Sequence, residues 1–472
     1  PLHTIVEPSD ESPEELAKFA RDPLLRRAHT ALLLANYGNS GEPNEAARKA
    51  DFAPWLDALE HADVDKFPGA ERVGWLCYNV GDYAAAKKWL LRAPPDLPET
   101  LWLQGKLAAR DGSPGASLHA YNEAARKITA RGEPTIEDTT MQPWEDTSGS
   151  IFIGERGIVA LAGGEFRTAF ESFLHGEHWA DAAYVAERLL SLGDLKGLVD
   201  KRPWRAEWDE FSEEKLYALS PHPASVEEPN ADEDSAFLPE LRAIPTVIRT
   251  RQLRWLLARR LARSARCGEA LAYYPAKERT ESNRYLRALA QGKDHALPAA
   301  ERAMAYWAAA LEARYHGMEL FGAEAAPDWF MLYGGDYEAD DPAAYRTGKT
   351  SPGTLDNGKA YPLAAILRAG KAERLRLHET ALNPDKRFHY RYHAADLAWQ
   401  AAALLPTNDP RLAEILDLAG QWLASRDDSA ADRFYQALEK RCANTEIGRR
   451  AMEHRWFADI QAYTIPNRPE EK

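Results

Sequence analysis

Cysteine is scarce in this chain of 472 residues: Cys77, Cys267 and Cys442 lie far apart and in no CxxC spacing. That excludes a disulfide framework and a zinc motif of the usual spacing. Cys77 and Cys267 are expected to fill helix-packing positions instead. Long apolar runs are missing too. No stretch reaches the roughly 18 to 20 apolar residues that a membrane helix needs, so no bilayer-spanning segment is expected. Basic excess is the third absence. Lys and Arg number 59 against 73 Asp and Glu, giving a net charge of -14 and a pI near 5.5. Nucleic-acid binding would call for a basic face, so none is expected. The chain opens at Pro1 without a signal-peptide pattern, as expected after removal of an initiator methionine or trimming of a longer start.

Convincing alternating strands are also lacking, and what is present is helical. A pair of glycines seven residues apart recurs as Gly74/Gly81, Gly105/Gly112 and Gly157/Gly164. Twelve residues after each first glycine stands a small residue (Ala86, Ser117, Ala169). Sixteen after stands a large one (Leu90, Tyr121, Phe173), and nineteen after another small one (Ala93, Ala124, Gly176). This register predicts two closely packed helices. The first two copies lie 31 residues apart, near the period at which helix pairs stack into a solenoid. Weaker copies follow at Ala258, Ala265, Ala270 and Tyr274, and at Ala419, Arg426, Ala431 and Tyr435.

Start and stop signals fit the same picture. Ser12-Pro13-Glu14-Glu15 offers a hydroxyl cap, a first-turn proline and a reciprocal glutamate, and Asp409-Pro410 repeats the logic. Apolar residues recur at helical spacing over Arg251 to Ala265, Ala299 to Tyr315, His389 to Leu405 and Arg411 to Ser425. Most of the 30 prolines fall between such segments. Three stretches break the pattern: Gly132 to Ser150, Ser220 to Ser235 and Gly322 to Pro362. The last is long enough to read as a functional insertion.

Arg72-Val73-Gly74-Trp75-Leu76-Cys77-Tyr78 followed by Gly81-Asp82-Tyr83-Ala84-Ala85-Ala86 resembles the tetratricopeptide repeat (TPR). The resemblance implies antiparallel helix pairs whose first helices line a concave, protein-binding groove. Ala430 to Phe457 is similar to the related repeats of bacterial outer-membrane assembly lipoproteins. Trp179 to Arg188 and Arg391 to Trp399 are similar to segments of uncharacterised bacterial envelope proteins. That likeness implies a periplasmic or envelope location, with the cytoplasm as the alternative.

The groove is expected to expose the other stripe of each first helix: Trp75, Tyr78 and Asn79, then Trp102, Lys106 and Arg110, then Trp255, Arg259 and Arg263. Aromatic rings beside Arg or Lys join contact area to charge-assisted hydrogen bonds. The competing reading of these residues is packing between repeats. Seven arginines between Arg249 and Arg266 suggest either an anion site or bridges to neighbouring carboxylates. His389 and His393 share a helical face at metal-site spacing, with His378 or Glu379 upstream. Tyr390, Arg391 and Tyr392 leave no HExxH, and Arg387 and Arg391 would repel a cation, so hydrogen-bonded packing histidines are expected. Asp336, Glu338, Asp340 and Asp341 could gather calcium, yet their spacing is not that of a calcium loop, and a solvated turn is the default. Thr347 to Gly353 lacks the upstream glycine of a phosphate loop. No GxSxG is present.

The expected fold is therefore all-α: a right-handed α-solenoid of TPR-like helix pairs with a long irregular loop insertion. Its parts are an N-terminal helical region over 1–66, TPR-like repeats over 67–202, a helical region with a degenerate repeat over 203–321, the insertion over 322–362 and C-terminal TPR-like repeats over 363–472. The expected function is a non-enzymatic interaction scaffold or subunit of a bacterial assembly, with protein partners and no catalytic residue, metal or cofactor. The alternative is a carbohydrate-active enzyme on an α/α toroid, with Trp144-Glu145-Asp146 and Asp328-Trp329 as acidic and aromatic neighbours.

Overall fold

A computed structural model describes residues 12–37, 45–62, 67–131, 148–212, 215, 246–325, 328, 342–349 and 365–458. All regular structure among them is helical, with no strand. In chain order the α-helices are α1 (Pro13–Arg21), α2 (Pro23–Tyr37), α3 (Glu45–His61), α4 (Ala70–Asn79), α5 (Tyr83–Leu90), α6 (Pro98–Arg110), α7 (Pro114–Arg131), α8 (Ser148–Ala162), α9 (Phe166–His175), α10 (Trp179–Tyr184) and α11 (Leu192–Asp200). They continue as α12 (Thr246–Arg263), α13 (Cys267–Ala270), α14 (Ala276–Lys293), α15 (Ala299–Tyr315), α16 (Gly317–Phe321), α17 (Pro342–Thr347), α18 (Lys371–Glu379), α19 (His389–Ala403), α20 (Pro410–Ala424), α21 (Asp428–Cys442) and α22 (Glu446–His454). The chain divides into two compact units, Pro1–Val185 with Ala343–Leu375, and Ala186–Pro342 with Arg376–Lys472.

In the first unit the helix boundaries follow the capping chemistry. Ser12 and Glu15 form a reciprocal capping box with Pro13 in the first turn. The indole of Trp55 donates to the Thr30 hydroxyl at 3.2 Å, and His29 packs 4.4 Å from the same ring, which fixes α3 on α2. From α4 onward the pairs α4/α5, α6/α7 and α8/α9 are packed neighbours, and their geometry explains the glycine register. A Cβ on Gly157 would lie 2.5 Å from the Phe173 ring, and one on Gly105 2.8 Å from Tyr121, so in these two copies the +16 ring covers the bare first helix, whereas over Gly74 the nearest side chain is Leu103 at 3.0 Å and not the +16 residue Leu90. The second glycines, Gly81, Gly112 and Gly164, make the turns at φ 79°, 74° and 81°, where an L side chain is disfavoured. The +12 residues Ala86, Ser117 and Ala169 are fully buried. Trp55 and Trp89 anchor the core at 1% exposure, each worth roughly 2 to 3 kcal/mol of apolar burial.

The insertion is not wholly irregular. Pro342–Thr347 forms α17, closed by Gly348 at φ 79°, and Arg346 forks onto Glu373 (2.5 and 2.8 Å) while the Tyr184 hydroxyl donates to the same carboxylate at 2.7 Å. All three side chains are buried. A buried charge persists only when paired and hydrogen-bonded, and this triad places Ala343–Leu375 in the first unit.

In the second unit the degenerate register recurs with alanine. Ala258, Ala270 and Tyr274 are fully buried, and Ala265 takes the left-handed turn, φ 59°, that glycine takes elsewhere. The helices α15 and α19 meet along small residues, Ala303, Ala309, Ala310 and Ala313 against Ala394, Ala398 and Ala401, all buried. Trp307 of α15 stacks on Trp422 of α20 with centroids 5.5 Å apart and ring planes 4° from parallel. Asp409 caps α20 by accepting from the Arg411 N–H at 2.9 Å.

Candidate functional site

The first helices of consecutive pairs gather one cluster in the first unit. Trp75 on α4 and Trp102 on α6 meet edge to face, centroids 4.9 Å apart, and the Trp75 indole donates to the Glu99 carbonyl at 3.1 Å. Tyr78 extends the row, 6.0 Å from Trp75 and 5.3 Å from Tyr83. Arg110, one turn beyond Lys106 on α6, lays its guanidinium 3.6 Å over the Tyr83 ring. Phe152 of α8 closes the other end, 5.4 Å from both Trp102 and Tyr121. Such edge-to-face pairs add roughly 0.5 to 1.5 kcal/mol beyond their buried area.

Glu155 of α8 is the polar hub. It accepts the Trp102 indole at 2.7 Å and the Tyr121 hydroxyl at 2.8 Å, and its other oxygen receives the Lys106 ammonium. That ammonium also lies 5.3 Å from the Tyr78 centroid, 5.7 Å from Trp75 and 5.9 Å from Trp102, within cation–π range of all three. Burial pushes the Tyr121 phenol far up, with Glu155 adding to it, and burial also raises Tyr78. Both phenols therefore stay protonated, and that of Tyr121 donates to Glu155. Lys106 and Glu155 keep 18% and 26% side-chain exposure, so the hub reaches solvent. Arg156 beside it is turned away, onto Asn122 at 2.8 Å and Ser172 at 3.1 Å. Asn79 ends α4, half-buried. Trp75 and Trp102, expected to face a groove, are themselves buried at 8% and 4% exposure, so what is offered to a partner is the half-buried Tyr78 and Tyr83, the exposed Arg110 and the partly exposed Lys106–Glu155 pair.

The third trio expected in the groove behaves differently. Arg259 is wholly buried against Glu324 and lines no open face. Arg263 pairs with Glu187 and donates to the carbonyls of Phe321 and Gly322, both at 2.8 Å. The Trp255 indole donates to the Glu319 carbonyl at 2.9 Å. Tyr274 and His389 complete the set, on the carbonyls of Leu320 at 2.6 Å and Phe321 at 3.0 Å. These are the carbonyls that a short helix leaves without intrahelical partners, so this face of α12 is an end-cap for α16. Arg260 does the same for the π-helical turn Val185–Leu189, donating to Ala186 and to Leu190 at 3.0 Å. Burial lowers its guanidinium to about 10.

The histidine pair is likewise committed to packing. His389 Nδ1 lies 2.6 Å from the buried Asp328 carboxylate, and His393 Nε2 is 2.8 Å from the Tyr285 hydroxyl. Among the described residues no group of His, Cys, Asp and Glu is arranged to hold a metal. Asp336, Glu338, Asp340, Asp341, Trp144-Glu145-Asp146, Trp329 and Ser220 to Ser235 lie outside the described residues.

Glu155 and Tyr121 were not foreseen as site residues. The only signal was positional: Glu155 is a lone acid in an apolar first helix, two residues before the register glycine, where Leu103 stands in the preceding copy. Compared with models of protein families, with curated proteins and with solved structures, the chain has no significant match.

Proposed function

We propose that this chain is a non-enzymatic protein-interaction scaffold or assembly subunit, built as a right-handed α-solenoid of TPR-like pairs, that engages a protein partner through the α4–α6–α8 face. The observation that carries the reading is the cluster itself: Trp75, Tyr78 and Trp102 from two successive first helices surround Lys106, and Glu155 of the third completes it. Buried Trp75 and Trp102 hold the rims formed by Tyr78, Tyr83, Arg110 and the partly exposed Lys106–Glu155 pair in place, and such pre-organised aromatic and charged groups anchor a partner at low entropic cost. The partner suited to it is an extended peptide segment carrying an apolar anchor and a charged side chain. The resemblance to envelope proteins makes a bacterial envelope assembly the setting of this proposal, and among the described residues no helix is long and apolar enough to cross a membrane. A carbohydrate-active site would need two carboxylates facing a pocket. Glu155 is instead held by three donors, and Asp328 is sealed against His389.

Crosslinking capture from native extract tests this. A defined partner should be recovered by the intact chain, lost with Tyr78→Ala/Arg110→Ala and with Lys106→Glu, and retained by Arg433→Ala in the second unit. Recovery that is equal for all four proteins, or no recovery with the intact chain, would overturn the assignment of this face.

A further inference from the structure

The hydrogen-bonding groups of the α4–α6–α8 face are unevenly used. Its acceptors are engaged. Glu155 takes the Trp102 indole and the Tyr121 hydroxyl on one oxygen and the Lys106 ammonium on the other. Both oxygens of Asp111, the residue after Arg110, take the Lys87 ammonium at 2.8 Å. Asp82, just before Tyr83, caps α5 by accepting from the Ala85 N–H at 3.0 Å, and the Glu99 carbonyl takes the Trp75 indole.

Its donors are not all engaged. Arg110 is exposed in the last turn of α6, and among the described residues no carboxylate or carbonyl accepts from its guanidinium. Its carbon rests 3.6 Å from the Tyr83 centroid. A guanidinium over a ring uses its face and keeps the five N–H donors that lie in its plane. The Tyr78 hydroxyl likewise has no acceptor among the described residues. Tyr78 is half-buried, its ring is 5.3 Å from Tyr83, and the charges of Lys106 and Arg110 both act on its phenol. A lone exposed arginine is ordinary solvated surface. This one is held by a ring, with a second unused donor and an ammonium beside it, on a chain of net charge -14.

We infer that the charged side chain of the partner is a carboxylate, an aspartate or glutamate of an extended acidic segment that takes the Arg110 fork and accepts from the Tyr78 hydroxyl. This rests on the assignment of the face to a protein partner and fixes the sign of charge it selects. Two coplanar carboxylate oxygens match one guanidinium fork. A basic side chain would meet Arg110 and Lys106 with Glu155 already held by three donors, and like charges brought together at an interface cost affinity.

Selection from a phage-displayed library of random linear peptides, with the full chain and with Arg110→Glu as targets, tests this. The intact chain should enrich peptides carrying Asp or Glu beside an apolar residue, and Arg110→Glu should lose them. Fluorescence anisotropy of an enriched peptide should show binding about tenfold weaker with Arg110→Gln, and less weakened with Arg110→Lys, which keeps the charge without the fork. Tyr78→Phe, which removes only the hydroxyl, should weaken it by a smaller factor, and Arg433→Ala should leave it unchanged. Added salt should weaken the intact chain more than Arg110→Gln. Circular dichroism verifies that the variants fold. Neutral or basic peptides whose binding is still lost in Tyr78→Ala/Arg110→Ala would overturn the carboxylate and leave the face standing. Acidic peptides bound equally by the intact chain and by that double variant would overturn both, as would the absence of any enriched peptide.

Discussion

The same helix-pair register occurs with glycine in one unit and alanine in the other, and the charged residues beside it are used in opposite ways. In the first unit Gly157 lets the Phe173 ring lie on α8, Gly164 makes the turn, and the neighbouring Lys106 and Glu155 stay partly open to solvent. In the second unit Ala258 and Ala265 hold the equivalent places, and the arginines of α12 are driven inward onto carbonyls and carboxylates. A similar pattern of aromatic and basic residues on a first helix therefore leaves Lys106 and Glu155 partly exposed beside the buried Trp75 and Trp102 where the next element is another long helix. It gives an interior joint where the next element is a short helix, whose carbonyl ends need donors.

Removing one partner of the most deeply buried pair should have the largest effect. Arg259→Met leaves Glu324 charged and enclosed, and is expected to cost about 3 to 5 kcal/mol. Arg259→Met/Glu324→Leu should recover most of it, because an apolar pair of similar volume avoids desolvation altogether. Urea denaturation followed by hydrogen exchange over α12 and α16 measures both. A single variant losing less than about 1 kcal/mol would mean that Arg259 is no interior joint.

Acid should weaken the first unit through His29, which burial against Phe19 and Trp55 lowers from 6.5 to about 4. Because the folded state disfavours the proton, this contribution is complete above pH 6.5 and is lost as pH falls towards 4, by up to about 3 kcal/mol. His29→Leu should flatten that part of the pH dependence of Tm between those limits. An unchanged slope would assign the acid loss to other groups.

The register itself gives paired tests of opposite sign. Gly157→Ala must displace the Phe173 ring and is expected to cost about 1 to 3 kcal/mol. Gly164→Ala, where a Cβ would have room but φ is 81°, should cost about 1 kcal/mol. Ala265→Gly should be neutral or stabilising by roughly 0.5 kcal/mol, since relief of the left-handed strain is set against the freer unfolded chain. If Ala265→Gly destabilised as much as Gly164→Ala, the two turns would not be equivalent.

These contacts were legible in the sequence because they are local. A ring sixteen residues after a bare helix position, and a turn at seven, follow from steric rules within one helix pair. The helices Ala299–Tyr315 and His389–Ala403 were readable for the same reason, from the period of their apolar residues. The inward turn of Arg259 and Arg263 was not, since their partners are the carbonyls at a helix end 58 residues on and carboxylates far off in sequence on either side, Glu324 after and Glu187 before, and periodicity marks a face without saying what meets it. Trp75, Tyr78, Trp102, Lys106 and Arg110 do gather in one row, yet Glu155, which ties three donors together, belongs to the next pair. The helix inside the insertion escaped notice because its anchor, Glu373, lies beyond the segment's far end.

The partly exposed ion pair gives the sharpest test of the contrast. Lys106 and Glu155 form an ion pair, as Arg259 and Glu324 do, but with 18% and 26% exposure in place of 0% and 2%. Water can solvate whichever partner remains, so Lys106→Met should cost no more than about 1 kcal/mol. Glu155 would still hold the Trp102 and Tyr121 donors, and the aromatic row should keep its geometry. Near-ultraviolet circular dichroism should therefore change little, while partner capture is lost. A loss approaching that of Arg259→Met would show that Lys106 is a structural strut, and the α4–α6–α8 face would then be packing between helix pairs.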